Sequence, residues 1–141
     1  MSLTQTYAAE YAALAKHFND EWEKLSNALP VAWENVPLDP ANPPAGYVSF
    51  HIINGQPGAV SIGVPGSNIV RHPGIVNVNI FVPLDAGKVA ALSVADNVAA
   101  ILRSVSIQGI LVREPAAVTL GQNGAYFQVN VSAPFQRDSL Y

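Results

Sequence analysis

The segment Ile75-Val76-Asn77-Val78-Asn79-Ile80-Phe81-Val82-Pro83 constrains the fold more than any other part of the chain. Its residues alternate in character with a period of two, the period of a β-strand. Val76, Val78, Ile80 and Val82 fall on one face, and Ile75, Asn77, Asn79 and Phe81 fall on the other. The first face belongs against a core. The second is polar without being charged, which is unusual for a surface that meets only water.

Two further segments repeat the arrangement. Tyr47 to Ile53 places Val48, Phe50 and Ile52 on one side and Tyr47, Ser49 and His51 on the other. The last predicted strand, Ala125 to Ala133, sends Phe127, Val129 and Val131 inward and Tyr126, Gln128, Asn130 and Ser132 outward. Exposed sheet faces usually recruit charged residues and Thr. A face of amides and hydroxyls suits contact with another polar surface, because unpaired charges are costly to bury. A ligand-lined sheet is the other reading of the same face.

Helices are predicted at two places. Ser2 and Gln5 have the spacing of a capping box. After them Tyr7, Tyr11, Leu14, Phe18, Trp22, Leu25 and Leu29 recur at steps of three and four, with Glu10, Lys16, Asp20, Glu23 and Lys24 mostly off the stripe and Pro30 ending the helix. Asp85 is a candidate N-cap for a second helix over 86–104, whose apolar residues cover more than one stripe and predict burial on most sides. Val31 to Val36 reads as a short strand, with Trp33 as a core residue. Four prolines between Pro37 and Pro44 make an extended loop. Asn54-Gly55 starts a turn, with Ala59 to Val64 as its hairpin partner. Val64 to Gly74, containing Asn68, Arg71 and His72, reads as a protruding loop. Ile107 to Arg113 and Ala116 to Leu120 read as strands broken at Glu114-Pro115, and Gly121 to Gly124 as a tight turn.

These elements predict an α+β domain spanning 1–141, a mostly antiparallel sheet with two helices packed on one face. At 141 residues the chain can bury a sizeable core as one domain. Only 12 % of its residues are charged, about half the usual ~25 %, so part of the surface is expected to be covered by partners. A net charge of −3 with seven scattered Lys and Arg argues against a nucleic-acid binder. There is no cysteine for a disulfide or thiolate site, and no apolar run reaches the ~20 residues of a membrane span. The chain reads as a soluble protein.

Catalytic patterns are missing. His17, His51 and His72 have no metal-ligand spacing, and Gly63-Val64-Pro65-Gly66 lacks the lysine of a phosphate loop. A triad could be drawn through Ser67, His72 and Asp85, but no nucleophile elbow supports it. No cofactor, metal or catalytic residue is expected.

The order of segments resembles a known family. A helix leads into Pro30-Val31-Ala32-Trp33-Glu34-Asn35-Val36, a proline-rich loop and Tyr47-Val48-Ser49-Phe50. Arg71-His72-Pro73-Gly74 precedes the strand ending Phe81-Val82-Pro83, and an Ala-rich helix follows. The chain closes with Tyr126-Phe127-Gln128-Val129-Asn130-Val131 and Pro134-Phe135-Gln136-Arg137. This resembles the tail terminator, or tail completion, proteins of long-tailed bacteriophages, of the minor tail protein U type. The resemblance implies a non-enzymatic virion protein, assembled in the host cytoplasm. It would form a ring, typically of six copies, on the head-proximal end of the tail tube. The ring would stop tube polymerisation and dock the head connector. Its partners would be its own copies, the tail tube protein and the connector protein, with no membrane and no sequence-specific nucleic acid. Carried to these positions, Asn68, Arg71 and His72 are the first candidates for subunit or tube contacts, and Arg113, Glu114 and Arg137 the second. Two other roles stay open: a head-closure protein of the neck, and a small-ligand-binding or hydrolytic domain using the His51 face.

Overall fold

The computed structural model describes residues 6–26, 28–38, 43–61, 63–103 and 105–140. The expected capping box at Ser2 and Gln5 lies outside them. Within them the order is α1 (Tyr7–Trp22), β1 (Val31–Trp33), β2 (Tyr47–Asn54), β3 (Gly58–Ala59), β4 (Ile69–Pro83), α2 (Lys88–Leu102), β5 (Ser106–Ile107), β6 (Ile110–Val112), β7 (Ala116–Asn123) and β8 (Tyr126–Leu140). One eight-stranded sheet carries them in the order β1-β2-β4-β8-β6-β5, with β3 beside β4 and β7 beside β8. The β1–β2 pair is parallel and the others are antiparallel, which makes the α+β sheet mixed but mostly antiparallel.

The frame is the β4–β8 pair. The two strands, 15 residues each, stay in unbroken register from Ile69 opposite Leu140 to Pro83 opposite Tyr126. A constant register with a period of two gives each strand one inner row. Val76, Val78, Ile80, Val82, Val129, Val131, Ala133 and Phe135 are all buried on that side. Both helices cover it. From α1 come Leu14, Phe18 and Trp22; from α2 come Ala91, Ala95, Val98 and Leu102. Phe18 is packed between Trp22 and Phe50, with ring centroids 5.4 and 5.2 Å away, and Trp33 closes the same cluster against Phe50 at 5.4 Å.

Several expectations are corrected. The segment from Ile69 to Gly74 is not loop but the first part of β4. The strand does not stop at Pro73 because that residue sits where β4 changes neighbours. Strand β2 pairs with β4 as far as Gly74, and β3 takes over at Arg71. Pro134 occupies the equivalent position in β8, between β7, which pairs through Ser132, and β6, which pairs from Phe135. A residue without an N–H is cheapest where the ladder is already interrupted. Likewise β3 pairs with β4 rather than β2, and β7 runs through Gly121 to Asn123, leaving Gly124-Ala125 as the turn.

Helix α1 is capped by Thr6, whose Oγ1 accepts from the N–H of Ala9 at 3.1 Å. It ends at Trp22, well before Pro30, and the Trp22 indole N–H donates to the Leu29 carbonyl at 2.8 Å as the chain folds back. Helix α2 begins at Lys88, and Asp85 lies in a positive-φ turn instead of capping it. Its buried side is one stripe, not most of the helix, and Val89 is 77 % exposed. Ala91 and Ala95 on that stripe are small enough to let the backbone approach the sheet closely. Among the described residues no helix is long and apolar enough to cross a membrane.

Candidate functional site: the open face of the sheet

Because both helices lie on one side, the other side of β2, β4 and β8 is left open by the described residues. Register fixes its composition. Across the sheet run Tyr47–Phe81–Gln128, then Ser49–Asn79–Asn130, His51–Asn77–Ser132, and Ile53–Ile75–Pro134, followed by Pro73 opposite Gln136. None of these is Asp, Glu, Lys or Arg. The central rows are polar and mostly half-buried, with Ser49 buried; toward both ends apolar side chains predominate.

The amides satisfy one another. Asn130 Nδ2 donates to Asn77 Oδ1 and, at 3.0 Å, to Asn79 Oδ1. Gln128 Nε2 also donates to Asn79 Oδ1, at 2.9 Å, and Asn123 donates to Gln128. The Asn130 and Gln128 bonds to Asn77 and Asn79 are cross-strand contacts that lock the β4–β8 register from outside while the valines lock it from inside, and the Asn123 bond ties β7 to β8. His51 Nδ1 lies 3.3 Å from Glu34 Oε1 and Nε2 lies 3.1 Å from Ser49 Oγ. A carboxylate only accepts, so the His51 proton toward Glu34 sits on Nδ1.

The ends of the face are different. Ile53 is 53 % and Ile75 40 % exposed, side by side in one row with the exposed Pro134. At the opposite end Tyr47 stacks on Phe81 with centroids 4.6 Å apart, and Tyr126 meets Tyr47 edge-on at 5.5 Å. Burial raises the Tyr47 phenol above its ordinary value, with Tyr126 adding to it. The Tyr126 hydroxyl donates to the Pro43 carbonyl at 2.9 Å. A face whose rows carry no charged residue, with internally paired amides and the Glu34 carboxylate held against His51 at its edge, can meet a second protein surface with little charge to strand.

The sequence-derived site residues do not form one cluster. Arg71 makes a two-pronged contact to Asp138, its cross-strand neighbour, at 2.8 and 3.1 Å on the outer side. The Arg71 hydrogen bond holds the Asp138 carboxyl below its ordinary range. His72, on the inner side, is buried. Its Nε2 lies 2.9 Å from Ser139 Oγ and its Nδ1 3.3 Å from the Tyr7 hydroxyl, and burial lowers its affinity for a proton. Asn68, in the turn before β4, donates to the Val64 carbonyl. Arg113 is exposed and donates to Gln136 at 2.9 Å. Glu114 is exposed and pairs with Arg103. Arg137 is fully buried, its Nε 2.9 Å from Glu10 Oε1.

Sequence reasoning missed the inner cluster to which His72 and Arg137 belong. Glu10, expected off the buried stripe, is itself buried; it accepts from Arg137 and, at 2.7 Å, from Asn54 Nδ2. Tyr7 covers the cluster, with the Arg137 guanidinium 5.1 Å from its ring centre. The group ties the first turns of α1 to the far ends of β4 and β8. Among the described residues no set of His, Asp and Glu side chains could hold a metal ion.

A family model described as phage tail terminator protein matches residues 11–135. The chain belongs to the phage tail terminator family. That span reaches from within α1 into the last part of β8, so it takes in most of α1, all of α2 and nearly all of the open face. The family is structural, placing the chain in the virion tail and implying contact with the tail tube. One solved structure superposes with a TM-score of 0.71, covering 98 % of this chain and 99 % of the other at 21 % identity. At that identity the likeness is one of fold. No curated protein sequence matches the chain.

Proposed function

We propose that this tail terminator assembles as a closed ring on the head-proximal end of the tail tube. The ring ends tube polymerisation and presents the docking surface for the head connector. The observation that carries the reading is the uncharged open face, with Ile53, Ile75 and Pro134 exposed in one row beside a sheet of paired amides. A second protein covering such a surface strands little charge. The end of the tube on which the ring sits is its natural cover.

The rim of that face supplies polar contacts. Asn68, Arg71, Arg113 and Glu114 are positioned on the outside of the fold for contact with neighbouring copies or the tube, as polar rims are in other assemblies. His72 and Arg137 act from inside, holding the strand ends that carry Arg71 and Asp138.

Electron microscopy of purified tail tubes mixed with the protein tests the reading. The expected image is a ring at one end of each tube. Tubes with two bare ends at saturating protein would overturn it.

A further inference from the structure

Strand β7 lies outside β8, and among the described residues its other side carries no strand. Ala116, Ala117, Val118, Thr119 and Leu120 are exposed in succession, Val118 by 51 % and Leu120 by 55 %. Proteins guard a free edge by keeping it short, charging it, placing proline in it or bulging it. Strands β3 and β5 are guarded by their two-residue length. Strand β7 has eight residues, none of them Asp, Glu, Lys, Arg or Pro. Its one irregularity falls between Thr119 and Gly121, so Ala116 to Thr119 remains a flat ladder. Along that stretch alternate residues aim their N–H and C=O away from β8. The geometry calls for another extended backbone.

The strand order supplies a counterpart. Strand β1, Val31-Ala32-Trp33, bounds the sheet on its other side, is uncharged, and among the described residues pairs with β2 alone. Two uncharged edges, three residues in β1 and the four regular residues Ala116 to Thr119 in β7, therefore sit at opposite limits of one sheet. Joining unlike edges of successive copies is a head-to-tail contact, which generates a ring when the rotation closes. Pairing β7 with itself would make a closed dimer and leave β1 open.

We propose that β7 of one copy pairs with β1 of the next, so that the sheet continues across each subunit boundary of the ring. The inference rests on the ring reading above. It assigns Ala116–Thr119 and Val31–Trp33 as the two halves of one interface.

Two variants, Ala117→Pro and Val118→Pro, test it. Of two adjacent strand residues one donates toward β8 and the other outward, so one of these prolines leaves the monomer's ladder intact. That variant, identified by an unchanged thermal transition, is expected to lower the fraction of ring-capped tubes at least tenfold. Because the chain has no cysteine, Ala32→Cys combined with Ala117→Cys or with Val118→Cys gives a clean second readout. Oxidation of the assembled protein should produce a covalent ladder of oligomers. A folded proline variant that caps like wild type would overturn the edge pairing while leaving the ring intact. So would Ala117→Cys or Val118→Cys alone giving a disulfide dimer, or either one cross-linking to cysteine-bearing tube protein. Wild-type protein that forms no ring at all would instead overturn the ring reading itself.

Discussion

Glu10 on α1 and Arg137 on β8 form an ion pair of 2.9 Å across 127 positions of sequence, with side chains 1 % and 0 % exposed. Removing one member of such a pair leaves a buried charge without compensation, whereas replacing both with apolar groups of similar size can cost little. Arg137→Met and Glu10→Leu should each destabilise the fold by about 3–5 kcal/mol. The double variant Glu10→Leu with Arg137→Met should recover most of that loss. Urea unfolding of the three proteins gives the coupling directly, and additive losses would contradict a specific pair.

Acid should weaken the fold in two windows. Burial lowers the His72 pKa from its ordinary 6.5, so the unfolded chain binds the proton more readily. The stability from neutral His72 is full above 6.5 and is lost as pH falls below it. Asp138 is held below its ordinary 3.8 by the Arg71 hydrogen bond, so its contribution is full above 3.8 and is lost as pH falls further. Denaturation midpoints measured from pH 8 to pH 3 should decline in both steps. His72→Gln should remove the upper step and leave the lower one.

Gly74 is expected to resist substitution. A β-carbon there would collide with the Phe135 ring and come within 3.0 Å of the Ile53 carbonyl oxygen. Phe135 is itself packed in the core and has little room to give way. Gly74→Ala should therefore cost about 1–3 kcal/mol as an overpacking change, read as a lowered melting temperature. An unchanged melting temperature would mean that the ring can shift freely.

The periodic parts of the sequence were the legible ones. Val76 to Val82 and Phe127 to Val131 declare their inner rows, and Leu14, Phe18 and Trp22 declare the buried stripe of α1. The strand ends were misread where polar residues carry the inner row onward. Val70, His72 and Gly74 continue the phase of Val76, while Arg137 and Ser139 continue that of Phe135. The phase was present in the sequence, but Pro73 and Pro134 resemble stops until the change of neighbouring strand is seen. Glu10 could not be placed from α1 alone, because its partner lies at the other end of the chain. The amides of the open face were visible as a set. Their pairing with each other required the β4–β8 register.

Charge placed on the open face should separate folding from assembly. Ile75→Lys adds a cation to an exposed position, so the monomer should keep its stability within about 0.5 kcal/mol. On a capped tube the same charge would be buried without a partner, and capping should fall sharply. Circular dichroism and thermal melting check the first half, and counts of ringed tube ends check the second.

Arrest of growth is the most direct test of the terminator role. Tail tube protein polymerising in solution is followed by electron microscopy, with and without stoichiometric wild-type protein. The expected result is tubes that stop lengthening once one end carries a ring, with Ile75→Lys protein failing to stop them. Tubes that lengthen at the same rate with wild-type protein as without it would contradict the role.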